Sequence, residues 1–392
     1  MALQPAAGAR DLNPGQVESN RLLCERLAEV YRLWGYREVA PPTIERLDTL
    51  EAGGGIDGRE VLRLASDEPL GLRPELTASI ARAASTRLAS RPRPLRLWAC
   101  GSTFRTVAAE GGGQRLQEEL QSGVELLGVA SPAADGELMH LLLAAMASLG
   151  LRAEHQPTLL VGHHGLLDAL LAQVPADQRE PARSALTEFD PLALSLLSVP
   201  PGIRERLESL LNLRGEPSKV MAHLQQWIGP LPLLDSLANS LAAVAPAAQA
   251  LGVRLQLDPT FQPHFDLYDG LVLKLVCQGP DAPVAIASGG RYDALVGRFC
   301  TKATEAFGTG FGFAIEAIRE LLGPACPASE RPAPWLVASP RNDDLGPLLT
   351  QLAALHGRGE AAELCSVACA TQAEADQLAA ERGCRGALWL PA

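Results

Sequence analysis

Strand-like runs fall into two groups, near 95–128 and 253–311, and a Leu- and Ala-rich stretch from about 133 to 252 separates them. Its helical patterning, broken by Pro157, Pro175, Pro191, Pro200-Pro201 and Pro230, predicts an almost wholly helical block inserted between two halves of one antiparallel sheet. In the first group, runs at 95–103 and 118–128 flank a loop holding Gly111, Gly112 and Gly113, the pattern of a hairpin with a flexible tip. The second group comprises 253–257, 265–277, 284–288 and 305–311, followed by a helix over about 313–322.

Upstream, Val17, Leu22, Leu23, Leu27, Val30, Tyr31 and Trp34 recur at helical spacing after Pro14 and stop at Gly35. The run 37–40 ends at Pro41-Pro42, which marks an edge or an interface because proline cannot donate to a central ladder. Short strand-like runs at 61–65 and 70–73 precede a helix over about 76–89. Downstream, a Pro-rich linker at 323–334 leads to strand 335–338, helix 345–356, strand 362–368, helix 372–382 and strand 387–390. The predicted organisation is a core at 1–322, with 133–252 as its helical insertion, and a small C-terminal α/β domain at 335–392.

Composition narrows the function classes. With 34 basic and 45 acidic residues the net charge is −11, which disfavours a dedicated nucleic-acid binder, since counterion release needs clustered positive charge. Only Lys219, Lys274 and Lys302 are lysines, against 31 arginines, a skew that reads as codon bias. The longest apolar stretch, 141–151, falls short of the roughly 20 residues of a membrane span. No charged start followed by an apolar core marks a secretory signal, so a cytoplasmic location is expected. The eight cysteines lack metal-ligand spacing and read as buried free thiols; Cys365 and Cys369 are expected to share one face of a strand. His163-His164 and His264 have no Asp, Glu or Cys partner at ligand spacing, so they read as solvated loop residues, and no metal or cofactor is expected.

Four clusters carry chemistry: LRPELTA (72–78), FRTV with RLQEELQSGVELLG (104–128), FDLYDG with ASGGRYDALV (265–270 and 287–296), and GTGFGFAIEAI (308–318). In this order and spacing, with ARDLNP (9–14) and WGYREVAPPTIE (34–45), they resemble the catalytic core of class II histidyl-tRNA synthetases. The resemblance implies an α+β fold: a class II aminoacyl-tRNA synthetase-like antiparallel sheet flanked by helices. It places α-ammonium contacts on Glu75, Thr77 and Gln121 and imidazole contacts on Glu125 and Tyr268. A carboxylate and two neutral oxygens satisfy three ammonium N–H groups, while an acceptor and a hydroxyl distinguish an imidazole from an apolar side chain. Gln121 and Glu125, four apart on one strand, point to the same face. Gly289, in the Ser288–Tyr292 loop where Ser288 replaces a family glycine, lays backbone near the ligand; Tyr292 reads as packing beside it. Arg105 and Arg115 read either as structural relics or as holders of the ligand carboxylate. Taken singly, Glu75 and Glu125 also read as salt-bridged carboxylates facing Arg105 or Arg73.

The departures are on the nucleotide side. Val107 stands at the second-motif Glu, Pro263 at the histidyl-specific Arg, and Ala317, after Glu316, at the third-motif Arg. Loss of one such charge-stabilising donor costs on the order of 10²-fold or more in rate. Residues 331–392 hold five arginines, no lysine and seven acids, a net charge of −2 that suits no tRNA. This combination resembles the regulatory subunits of ATP phosphoribosyltransferase, a non-catalytic paralogue family. The resemblance implies a short-form catalytic subunit as partner, self-association within a hetero-oligomer, and histidine as feedback effector in the first step of histidine biosynthesis. A divergent active synthetase and a free-standing histidine-binding protein are the alternatives.

Overall fold

A computed structural model describes residues 5–53, 60–108, 113–261, 267–328, 332–341 and 344–391. Helix α1 (Pro14–Leu33) starts at a capping box in which the Asn13 side chain accepts from the Gln16 amide and the Gln16 side chain accepts from the Asn13 amide. A two-residue strand β1 (Arg37–Glu38) follows and pairs in parallel with Leu97 and Trp98, where the chain then meets Pro41-Pro42. Strand β2 (Ile44–Arg46), helix α2 (Leu47–Leu50) and strand β3 (Leu70–Leu72) form a small two-stranded appendage, and α3 (Thr77–Ser85) returns to the body.

The scaffold of the site is a long hairpin. Strands β4 (Leu95–Ala108) and β5 (Gln114–Leu127) pair without a break from Leu95↔Leu127 to Ala108↔Gln114. They reach well past the 95–103 and 118–128 runs because polar and charged residues continue both strands towards the tip; residues 109–112, with Gly111 and Gly112, lie outside the described residues. Helix α4 (Ala133–Ser148) opens the helical block and holds most of the 141–151 apolar run.

That block is not wholly helical. Strand β6 (Thr158–His163) joins the main sheet, antiparallel to the later β8 at Leu271–Gln278. Helices α5 (His164–Leu171), α6 (Arg179–Thr187), α7 (Pro191–Ser195), α8 (Pro201–Leu210), α9 (Pro217–Ile228) and α10 (Pro232–Ala250) follow, and β7 (Arg254–Leu257) pairs in parallel with β6. His163 ends β6 and caps α5, its Nδ1 accepting from the Gly165 amide at 3.1 Å, so the His163-His164 pair is a half-buried strand-to-helix junction and not a solvated loop. His264 lies outside the described residues.

After β8 come β9 (Pro283–Arg291), α11 (Asp293–Phe299), β10 (Gly308–Ala314) and α12 (Ile315–Leu322). The eight strands run β1-β4-β5-β10-β9-β8-β6-β7, a mixed sheet in which the inner neighbours are antiparallel and the two outer pairs parallel. On one face, α1, α4 and α12 bury Leu23, Leu27, Tyr31, Leu138, Leu142 and Ile318 against Val124, Leu126 and Phe313. On the other, α3 and α11 bury Ile80, Ala81, Leu295 and Val296 against Leu97 and Leu127.

The chain divides into two compact units, Met1–Pro327 and Ala328–Ala392. The second is a parallel three-stranded sheet, β12-β11-β13, of β11 (Trp335–Ala338), β12 (Ala362–Leu364) and β13 (Gly386–Trp389), with α13 (Leu345–Gly357) and α14 (Gln372–Glu381) as crossovers. Strand β12 stops before Cys365, so Cys365 and Cys369 share no strand face; both are buried in the turn that follows, their sulfurs 3.8 Å apart.

Candidate functional site

The sequence-predicted ligands converge on one cavity of about 60 Å³ on the α3 face of the sheet. Glu75, Thr77, Arg105, Gln121, Glu125 and Tyr268 all line it, together with Leu50, Ile80, Leu267, Ser288 and Phe311. Gln121 and Glu125 face it as the period-2 argument requires, while the alternate residues Val124 and Leu126 lie in the core beneath α1.

Glu75 stands in the β3–α3 connection, and its carboxylate accepts the Ala78 amide at 2.9 Å and the Thr77 amide, both in the first turn of α3. Burial pushes this carboxyl above its usual range, and those two amides with the Arg105 charge work the other way. From the same turn the Thr77 hydroxyl donates to Glu125 Oε1 at 2.7 Å. The Tyr292 hydroxyl donates to Glu125 Oε2. Glu125 is thus 4% exposed and satisfied by two hydroxyls, and burial pushes its pKa up to about 8. The two carboxylates are joined through Thr77, which touches Glu75 by its amide and Glu125 by its hydroxyl. Tyr268 projects over the cavity, and burial followed by the nearby Glu125 and Glu75 charges pushes its hydroxyl upward.

Close strand packing makes the cavity possible. Gly310 is paired with Glu125, and a Cβ there would run into the Glu125 carboxylate and the Val124 carbonyl. A Cβ on Gly290 would meet Tyr268 Cδ1 at 2.7 Å and the Leu271 carbonyl. Gly289, by contrast, pairs with Phe311 on the opposite pleat and does not line the cavity. Tyr292 is buried beneath the cavity and acts on it through Glu125.

Among the described residues Arg73 makes no ion pair with either glutamate, although the Glu75 charge supports its own. That guanidinium donates to the carbonyls of Pro41 at 2.7 Å, Pro42 at 3.3 Å and Ser102 at 2.9 Å. Arg105 is oriented by donation from Nε to the Pro74 carbonyl at 2.8 Å. Burial opposes its charge, and Glu119, Glu75 and Glu60 support it. No motif marks Glu119 or Glu60; the one sequence signal is that Glu119, two residues from Gln121, shares its face of the strand.

Where β10 ends, opposite Gln121, the β5 strand continues along a groove of about 560 Å³. Arg115 and Ala317 line it, with Arg10, Glu118, Glu119, Glu316 and Glu320. Arg10 pairs with Glu320 at 2.8 Å and with Glu316 at 3.4 Å. Val107 faces Arg115 across the hairpin, while Pro263 lies outside the described residues. No group of three or more metal-ligating side chains occurs among the described residues. The cavity therefore offers carboxylates, a hydroxyl and an amide to a small molecule with two separated N–H groups, beside a groove in which acids outnumber arginines.

An eight-stranded mixed sheet with this cavity defines a synthetase-like protein, and residues 8–318 match the family of histidyl-tRNA synthetases. A histidyl-tRNA synthetase from Nostoc sp. PCC 7120 shares the fold, with a TM-score of 0.76 over 100% of this chain and 92% of that one at 18% identity. A structure from Bacillus halodurans C, described as an ATP phosphoribosyltransferase regulatory subunit/histidyl-tRNA synthetase, superposes with a TM-score of 0.82 over 100% and 99% at 25% identity. ATP phosphoribosyltransferase regulatory subunits from Synechococcus sp. (strain RCC307) and Prochlorococcus marinus (strain MIT 9303) are each 52% identical over 100% of both chains. The chain belongs to the family of ATP phosphoribosyltransferase regulatory subunits.

Proposed function

We propose that this chain binds histidine in the cavity and conveys its presence to a short-form ATP phosphoribosyltransferase catalytic subunit, performing no chemistry of its own. It would act in the cytoplasm as a dimer within a hetero-oligomer, making the catalytic subunit active and mediating feedback inhibition in the first step of histidine biosynthesis. The observation that carries this reading is the asymmetry of the site. Glu75, Thr77, Gln121, Glu125 and Tyr268 come together around one small cavity, whereas Ala317 lines the neighbouring groove and Val107 stands opposite its Arg115 where activation chemistry needs charge. Histidine presents an ammonium for Glu75, Thr77 and Gln121 and a ring for Glu125 and Tyr268. Arg105 is the cation at hand for its carboxylate. If histidine binds one arrangement of the complex better than another, its differential affinity shifts the equilibrium between them.

The test is co-expression with a short-form catalytic subunit, measuring phosphoribosyl transfer with and without histidine. Activity should require both chains and fall with histidine, and Glu125→Ala should raise the histidine concentration needed by about 10- to 100-fold, the cost of leaving a buried ligand N–H without its partner. ATP–pyrophosphate exchange by the purified chain at synthetase-like rates would overturn the reading in favour of an active synthetase.

A further inference from the structure

Cys24 and Cys100, 76 residues apart in sequence, are brought together by the packing of α1 across β4, and their sulfurs lie 3.0 Å apart. The packing that holds them is firm: Tyr31, two turns on from Cys24, is fully buried with its ring 6.0 Å from that of Trp98, two residues before Cys100. Strand β1 pairs with Leu97 and Trp98 and stops short of Cys100, and that cysteine is exposed while Cys24 is half-buried. The two thus combine geometry with access, which the buried pair Cys365 and Cys369 lacks.

We propose that Cys24 and Cys100 are a thiol modification site, forming a reversible disulfide that staples α1 to β4 when the chain meets a low-molecular-weight disulfide such as oxidised glutathione. Cys100 is the attacking group because it is the exposed member of the pair, open to a reagent that Cys24 meets only after it. The hydrogen bond with Cys24 pulls its thiol below the ordinary range, as does Arg73, which is fixed by the Pro41, Pro42 and Ser102 carbonyls, while burial and Glu38 oppose them. The Cys100 thiolate attacks one sulfur of glutathione disulfide and expels one glutathione thiolate, leaving a mixed disulfide on Cys100. Cys24 then gives up its proton and attacks the Cys100 sulfur, expelling the second glutathione. The protein has lost two thiol protons and two electrons, and the reagent, having taken them up, has become two thiols. The staple closes a long loop between an N-terminal helix and the strand whose next residue, Gly101, pairs with the cavity residue Gln121.

The experiment uses the full chain, incubated with oxidised glutathione, alkylated with N-ethylmaleimide, digested with trypsin and analysed by mass without reduction. The expected result is loss of two of the eight alkylatable thiols with no glutathione retained, and a cross-link joining the peptides 22–26 and 97–105. Dithiothreitol should restore both thiols, and the oxidised chain should melt several degrees higher. Cys24→Ser should trap one glutathione on Cys100, whereas Cys365→Ser with Cys369→Ser should leave the cross-link intact. Full alkylation of Cys24 and Cys100 after this treatment, or a cross-link that joins only other cysteines, would overturn the proposal.

Discussion

Glu125 is the residue at which the proposed recognition and the stability of the fold meet. It is held on a rigid strand, sealed from water and satisfied by the Thr77 and Tyr292 hydroxyls, and its pKa of about 8 follows from burial first. Because the folded chain keeps this proton to about pH 8 while the unfolded chain releases it in the ordinary carboxylate range, the folded state binds more protons between those limits. Stability contributed by Glu125 is therefore present below the ordinary range and is lost as pH rises through about 8. Glu125→Gln removes the titration while keeping the size, so the difference in unfolding free energy between variant and parent should move in the variant's favour by on the order of 1 kcal/mol or more from pH 5 to 8.5. A difference independent of pH, measured by denaturant titration across that range, would mean that Glu125 titrates as an ordinary carboxylate. At this scale the residues lining the cavity were legible: a two-residue period put Gln121 and Glu125 on one face, and the family resemblance pointed to Glu75, Thr77 and Tyr268, which line the same cavity. The role of Tyr292 as a donor beneath Glu125 was not, since it depends on how closely β9, β10 and β5 pack at Gly290 and Gly310, which no local pattern encodes.

Elements with a clear period or a clear stop were readable, and those lacking either were not. Helix α1 has both, and its Asn13–Gln16 box closes the first turn with two reciprocal hydrogen bonds of 2.9 Å. Asn13→Ala should cost about 1 kcal/mol of stability, measured by denaturant unfolding, with no change in ligand affinity, because the cap lies at an exposed helix start. A change below a few tenths of a kcal/mol would show the cap to be replaced by solvent. Strand β6 illustrates the opposite case. The segment from Thr158 to Leu171 runs from strand into helix across Gly162 and Gly165, which mark a junction but not its type, and a short apolar run has no periodicity that separates a buried strand from a helix. Its assignment comes from the partners on both sides, β8 and β7, which are more than ninety residues distant in sequence. Likewise the LCSVACA run has strand composition, yet β12 ends at Leu364 because the chain turns there to begin the crossover through α14.

For the whole molecule, the distribution of charge matters more than its sum. The net of −11 is expressed locally: the groove beside the cavity gathers four glutamates against two arginines, and residues 331–392 carry −2. A polyphosphate in that groove would need its charge neutralised where Arg10 is already engaged by Glu316 and Glu320. A polynucleotide would need a basic surface that releases counterions on binding, and the log of its affinity would then fall steeply with the log of salt concentration. The chain's acidity sets a concrete expectation for RNA. Filter binding of full-length protein to histidine tRNA should give weak retention, no preference over an unrelated tRNA, and a salt slope near zero between 50 and 200 mM salt, the range over which phosphate-neutralising proteins lose orders of magnitude in affinity. A slope of several units together with preference for histidine tRNA would place a basic RNA surface on this molecule and return it to the synthetases whose sheet it shares.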